Sequence, residues 1–284
     1  MDKNLFKNLP YIIDETEDFS VVFKPPGMHC AAADSSKKTF ESKMTRNNDK
    51  RDTLFEWLKE KSSSVYDIMH RLDYETHGLV LFAKNEKSFN FFKDAQNNGN
   101  FIKEYSAKCA INNNNSQSSN HSKINKDSFN LAVKSINGFP ASPLFDQKPS
   151  IDNPFIIESY FRPYGRGRKE VRPVIEDNKK YKEIAKDKGG FYKTEIISVS
   201  NNIFTARIKR GFRHQIRCHL FWIGFSILND PLYQHDIFRE KNLDNIKNDD
   251  ESNPRCYLSL KSHAIFFPDP ETGKQSEYRI QHLI

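Results

Sequence analysis

An α+β fold is predicted by three features of the sequence. Strand-like segments outnumber helical ones, and the two kinds do not alternate as a parallel α/β sheet requires. Residues 78–84, GLVLFAK, form a continuous apolar run of strand length, suited to burial on both faces. Upstream of it, residues 19–24, FSVVFK, read as a short strand, and the KPPG at 24–27 turns the chain out of it. Residues 34–52 are polar and charged, which makes them a loop. Thr53 and Glu56 stand at capping-box spacing and open a helix whose Phe55 and Leu58 face the core. Residues 88–98 read as a helix that Gly99 stops, and 101–110, FIKEYSAKCA, as a further strand.

The Asn- and Ser-rich stretch 111–130 breaks all periodicity between strand-like flanks, so it is read as an exposed insertion and not as a domain boundary. Residues 146–190 carry a basic run and little periodicity. Residues 191–199 and 203–209 pair as a hairpin through Asn201-Asn202, because asparagine tolerates positive φ. In 213–223, RHQIRCHLFWI, the spacing of Ile216, Leu220 and Ile223 is helical and Gly224 ends the helix. That reading puts Arg213 and Arg217 one turn apart. Residues 236–254 are a second polar surface insertion, and 257–267, YLSLKSHAIFF, a closing strand. No internal repeat is present.

The 284 residues suffice for one large domain or two small ones. With 23 Phe and 11 Tyr the chain has the means for a substantial core, and a wholly disordered class is excluded. No apolar run approaches the ~18 residues of a membrane span, and the amino terminus lacks a signal-peptide pattern. Cys30, Cys109, Cys218 and Cys256 are scattered, which fits neither a zinc site nor a disulfide framework. The expectation is a reduced, soluble, cytoplasmic protein. Lys+Arg 44 against Asp+Glu 37 leaves +7, and the cations gather in two runs, RPYGRGRKEVR at 162–172 and RIKRGFRHQIR at 207–217. Guanidinium forks match phosphate oxygens, so two such runs favour nucleic acid over an idle solvated face.

The densest chemistry lies in MHRLDYETHG at 69–78, where a His, an Arg, an Asp and a Thr gather between a helix and a buried strand. HRLDYETHGLVLFAK resembles HRLDxxTSGLLLFAK, the signature of RNA pseudouridine synthases, in the group acting on large-subunit ribosomal RNA and tRNA. Further blocks follow in the family's order: VVFKPPG at 21–27, KEYSA at 103–107 (like K-x-Y-x-A), and GFRHQIRCHL at 211–220 (like GRTHQIRVHL). Then come IGFSILNDPLY at 223–233 (like IGHPIxGDPLYG) and SHAIFFPDPETG at 262–273 (like LHAxxLxFxHPxTG). Such an ordered series is far more specific than HRLD alone.

The resemblance implies a single pseudouridine synthase catalytic domain spanning 1–284, a bent, largely antiparallel mixed sheet flanked by helices, and a central basic cleft. It implies no metal and no organic cofactor. The partner is RNA, ribosomal or transfer, with no membrane, and the expected state is a monomer. The extra amino-terminal RNA-binding module of many relatives has no room in the ~18 residues before the first strand. By the same resemblance Asp73 acts at the ribose, Arg217 is its ion-pair partner, and Tyr105 lies against the target base. Arg71 fills the space a flipped base vacates. Thr76 and His70 fix the loop by hydrogen bonds, while Lys103 and His214 complete the substrate-binding set, His214 as a packed helix histidine and not a base. Lys24 and Lys103, at strand ends, read as solvated lysines within reach of phosphate.

Three positions depart from the family pattern: His77 for serine, Phe212-Arg213 for Arg-Thr, and Asn229 for glycine. They bear on substrate choice and leave the Asp, Tyr and Arg in place. Two rival readings remain. One is a catalytically inactive RNA-binding protein with the same fold, against which a retained Asp73, Tyr105 and Arg217 argue. The other is a small-molecule glycosidase or nucleosidase, which needs two flanking carboxylates and has only Glu75 to offer beside Asp73.

Overall fold

Strands dominate the computed structural model, which describes residues 9–32, 53–109, 135–136, 149–164, 166–174, 191–223, 225–233 and 257–281. The insertions at 111–130 and 236–254 and the loop 34–52 lie outside these residues. The chain divides into two compact units, residues 1–101 with 264–280 and residues 102–263 with 281–284. The α+β class holds, and the strand pairing is mostly antiparallel, with a parallel bridge between His29 and Thr53.

The first unit contains β1 (Tyr11–Glu15), β2 (Phe19–Lys24), β3 (Asp67–Ile68), β4 (His77–Ala83) and β12 (Gln275–Arg279). It also holds the helices α1 (Leu54–Lys61) and α2 (Glu86–Asn97), and the later part of β11 (Leu260–Pro268). Strands β2 and β4 are buried on both faces, as their apolar runs require, and pair from Phe19 opposite Ala83 to Lys24 opposite Gly78. Phe19, Phe92, Phe101 and Phe267 meet edge to face, with centroids 5.3–6.0 Å apart, among Val21, Met69, Leu79, Leu81 and Ile265. Each such side chain contributes roughly 1.5–3 kcal/mol on burial.

The expected cap of α1 is present, with Thr53 accepting from the Glu56 N–H. Leu58 is buried, while Phe55 is only half-buried, stacked on Phe82 at 6.2 Å. Helix α2 begins two residues earlier than its apolar spacing suggests. Asn85 caps it through a reciprocal box with Ser88, which puts Ser88 inside the first turn.

The second unit builds a meander of β5 (Ile102–Lys108), β10 (Ile203–Ile208), β9 (Tyr192–Ser200) and β7 (Phe155–Tyr164). The short β6 (Ser135–Ile136) and β8 (Glu170–Val174) both pair with β7, and the first residues of β11 lie beside β5. The hairpin between β9 and β10 turns through Asn201 and Asn202, both at positive φ, as anticipated. The hairpin of β7 and β8 was not legible in the sequence. Its inward positions are Ile157, Ser159 and Phe161, so a serine interrupts the apolar period. Helix α3 (Gln215–Trp222) starts after His214, which sits in the left-handed region at φ 56°. Arg213 therefore lies outside the helix. The expectation that it stacks one turn from Arg217 fails because the left-handed residue ends the helical path before reaching it.

Candidate active site

The loop from Met69 to Thr76, between β3 and β4, carries Asp73 in the first unit, and its path is determined by partners reaching its backbone. The His70 ring accepts from the Leu81 N–H at 3.2 Å. The Cys30 sulfur takes both backbone groups of Leu72, donating to its carbonyl at 3.4 Å and accepting from its N–H at 3.2 Å. The ammonium of Lys24 donates to the carbonyls of Pro25, Met28 and Tyr74 at 2.8–3.2 Å. Gly27, at φ 74°, donates its N–H to the same Tyr74 carbonyl at 2.9 Å. The Thr76 N–H closes the turn on the Asp73 carbonyl at 3.1 Å.

Lys24 is thus no solvated strand end. It is fully buried, and burial pushes its ammonium down to about 8, an effect that nearby Cys30, Asp73 and Glu75 oppose. Burial raises the Cys30 thiol, and the neighbouring Lys24 and Arg71 partly offset that. Asp73 itself is half-buried, while Arg71 and Tyr74 beside it are exposed. No ion pair holds Arg71 among the described residues, which leaves its guanidinium presented to solvent at the edge of the loop. Thr76 is buried, and its Oγ1 has no partner among the described residues. His77 is half-buried and meets Phe23 edge to face, with ring centroids 6.4 Å apart.

In the second unit, strand register sorts the functional residues onto two faces. Tyr105 lies opposite Ala206, and Ala206 opposite Ile196, so these share one side of the sheet with Thr194 and Lys103. Helix α3 packs on that same side: Gln215 and His219 both hydrogen-bond the Thr194 hydroxyl, at 3.0 and 2.8 Å. Tyr105 and the helix bearing Arg217 are therefore brought to one face. Glu104 and Ser106 point to the other, where His263 of β11 bonds both, at 2.8 and 2.9 Å, and Arg207 grips Glu104 at 2.7 Å.

Arg217 is 1% exposed and clasps Asp230 with two N–H groups, at 2.7 and 2.8 Å. Asp230 in turn accepts from the backbone N–H groups of Leu232 and Tyr233. Asp230 stands in the NDPLY block of the sequence, and sequence reasoning did not single it out. Its signal there was a carboxylate 13 residues past an arginine that had to be buried. Lys103 is buried with its ammonium on the Lys209 carbonyl at 2.7 Å, and burial pushes it down to about 8. His214 is half-buried, with Nδ1 3.3 Å from the Tyr233 hydroxyl.

The family departures find local reasons. Phe212 stacks on Phe161 at 5.1 Å and packs edge-on to Tyr192, filling the core beside α3. Arg213 donates to the Arg168 and Glu170 carbonyls and so ties the β7–β8 turn. Asn229 takes φ 60°, a conformation that glycine adopts freely and asparagine tolerates. Much of the second basic run is engaged within the protein. Arg207 pairs with Glu104, Arg210 lies over Tyr192, Arg213 holds carbonyls and Arg217 holds Asp230. In the first run, Arg162 and Arg172 lie over the Tyr164 ring at 5.0 and 3.4 Å.

Residues 18–222 match the family model described as RNA pseudouridylate synthase. An uncharacterised protein of Caenorhabditis elegans is 24% identical over 283 residues, covering 98% of this chain and 51% of the relative. An uncharacterised RNA pseudouridine synthase of Helicobacter pylori is 24% identical over 235 residues, covering 78% of this chain and 54% of the relative. The chain thus spans about half the length of these relatives. Among solved structures, human RNA pseudouridylate synthase domain containing 1 superposes with a TM-score of 0.55 at 14% identity. That match covers 96% of this chain and 84% of the other, a likeness of fold.

Proposed function

The chain belongs to the RNA pseudouridylate synthase family, and from that membership we propose that it isomerises uridines in structured ribosomal or transfer RNA to pseudouridine. The observation that carries this reading is the extent of the family match, 18–222, which takes in the Asp73 loop, the Tyr105 strand and the Arg217 helix together. The proposed enzyme is one catalytic domain acting as a cytoplasmic monomer, without metal or organic cofactor.

The reaction breaks the N1–C1′ bond, turns the uracil and forms a C5–C1′ bond. The C5 proton leaves and N1 gains one, so no oxidant or reductant is required. Positive charge that develops at C1′ calls for a carboxylate beside the sugar. Asp73 is assigned that role, at C1′ or C2′ of the ribose. Its support is a half-buried loop position whose backbone is tied by Lys24, Cys30, Gly27 and His70 before any substrate arrives. Preorganisation of this kind avoids rearrangement during reaction.

Arg217 is assigned as the ion-pair partner of Asp73, and Tyr105 as the ring against the base that assists loss of the C5 proton. Arg71, exposed beside Asp73, is suited to enter the stack that the flipped uridine leaves.

The test is a pseudouridine map of ribosomal and transfer RNA from cells carrying the wild-type gene, no gene, or Asp73→Asn. Sites present only with the wild type are expected, together with near-normal RNA binding by Asp73→Asn. Modification that persists in the Asp73→Asn cells removes the role of Asp73. A map identical in all three, with RNA binding retained, favours the inactive RNA-binding reading.

A further inference from the structure

Resting on that reading of the site, we infer that the hydroxyl of Ser262 is a substrate contact that hydrogen-bonds the uracil of the target uridine. Ser262 lies in β11 and is 0% exposed, and its Oγ has no hydrogen-bond partner among the described residues. Buried hydroxyls are nearly always bonded, because leaving one unpaired disfavours the folded state. An orphan of this kind points to a partner that arrives later.

Strand alternation says where the hydroxyl points. The neighbouring His263 bonds Glu104 and Ser106, so its side chain is on their face of the sheet. Ser262 therefore projects to the opposite face, the one that Tyr105 and Lys103 of the adjacent β5 occupy. The His263 clamp has a second consequence. By bonding two residues of β5 through both ring nitrogens, it fixes the rotation of β11, so Ser262 cannot turn away from the Tyr105 side.

Set without a gap on its PxTG end, the closing pattern that this segment resembles has leucine at Leu260 and alanine at Ser262. A serine there adds to a small side chain one donor and two acceptor lone pairs. Uracil presents two carbonyl acceptors and an N3–H donor, so a lone hydroxyl can meet either kind of group on the base. A phosphate would instead draw on cations at the surface, and Ser262 is not at the surface.

The experiment uses the full chain as wild type and Ser262→Ala. Two probes are titrated: a uridine pentaribonucleotide, and the same strand with its central base removed. The wild type is expected to prefer the strand carrying the base. Ser262→Ala should lose about three- to tenfold in affinity for that strand and bind the abasic strand unchanged. Its Tm should hold or rise, since no bond in the free protein is lost.

Equal wild-type affinity for the two strands overturns the inference. So does a Ser262→Ala protein with an unaltered preference, or one with a lowered Tm and equal losses on both strands. A base-dependent difference that Ser262→Ala removes, in a protein that forms no pseudouridine in any RNA, upholds the contact at Ser262 and removes the isomerase reading instead.

Discussion

The Asp73 loop and the Arg217 helix are held by opposite means. In the first unit the anchors of the loop, Lys24 and Cys30, bond backbone groups of Pro25, Met28, Leu72 and Tyr74. In the second unit the bonds run between side chains, as charged pairs or histidine relays: Arg217 with Asp230, Glu104 with His263 and Arg207, and His219 with Ser159 and Thr194. A carbonyl that loses a donor can be served by water or a small shift. A guanidinium buried to 1% that loses a bidentate carboxylate forfeits two charge-assisted hydrogen bonds where water cannot replace them. The loop should therefore bend under mutation, whereas the helix site should break.

The largest effect expected from this contrast is at Asp230. Asp230→Ala strips Arg217 of a bidentate partner in a dry setting and should cost about 3–5 kcal/mol, read from urea unfolding. A loss below about 1 kcal/mol would mean that the Arg217 site tolerates what the comparison says it cannot.

Next comes the acid limb of stability, which belongs to the second unit. His219 is fully buried between two hydroxyls, and burial pushes its ring down to about 3 from an ordinary value of 6.5. The unfolded chain binds this proton and the folded one refuses it. Stability from His219 is thus complete above pH 6.5 and drains away as pH falls towards 3. Relative to His219→Gln, the wild type should lose about 2–3 kcal/mol between pH 7 and pH 4. Parallel pH profiles for the two proteins would discard the neutral buried ring.

The smallest effect is expected at Lys24. Lys24→Met removes the donor to three carbonyls but also a desolvated charge, so the two changes oppose each other and the net loss near pH 7 should be about 1–2 kcal/mol. The folded ammonium titrates at about 8 against an ordinary 10.5, so the unfolded state holds more protons between those values. Wild-type stability should rise relative to Lys24→Met as pH climbs through that window. A Lys24→Met loss as large as that of Asp230→Ala would erase the distinction between the two regions.

Several features were legible in the residue string for physical reasons. Uninterrupted apolar runs predicted β2 and β4, Thr53 capped α1, and the Asn201-Asn202 pair turned its hairpin, because each signal acts within a few residues. The ordered motif blocks likewise identified the family whose model matches residues 18–222. Where a local signal was shared among elements, it misled. The inward Ser159 hid β7, since its partner His219 lies 60 residues away. The spacing that put Arg213 on α3 overlooked a left-handed His214. A lysine at a strand end, Lys24, read as solvated because only the folded chain closes the carbonyls of residues 25, 28 and 74 around it.

By itself, then, the sequence determined the fold class, the family, and those strands and helices whose signals are local. Tertiary structure alone decided the partners of the buried charges and the face of the sheet on which each side chain falls. Apolar period and turn chemistry are properties of neighbours along the chain. The pairing of Arg217 with Asp230, the clamp of His263 on Glu104, and the orphaned hydroxyl of Ser262 exist only once separate elements have packed together.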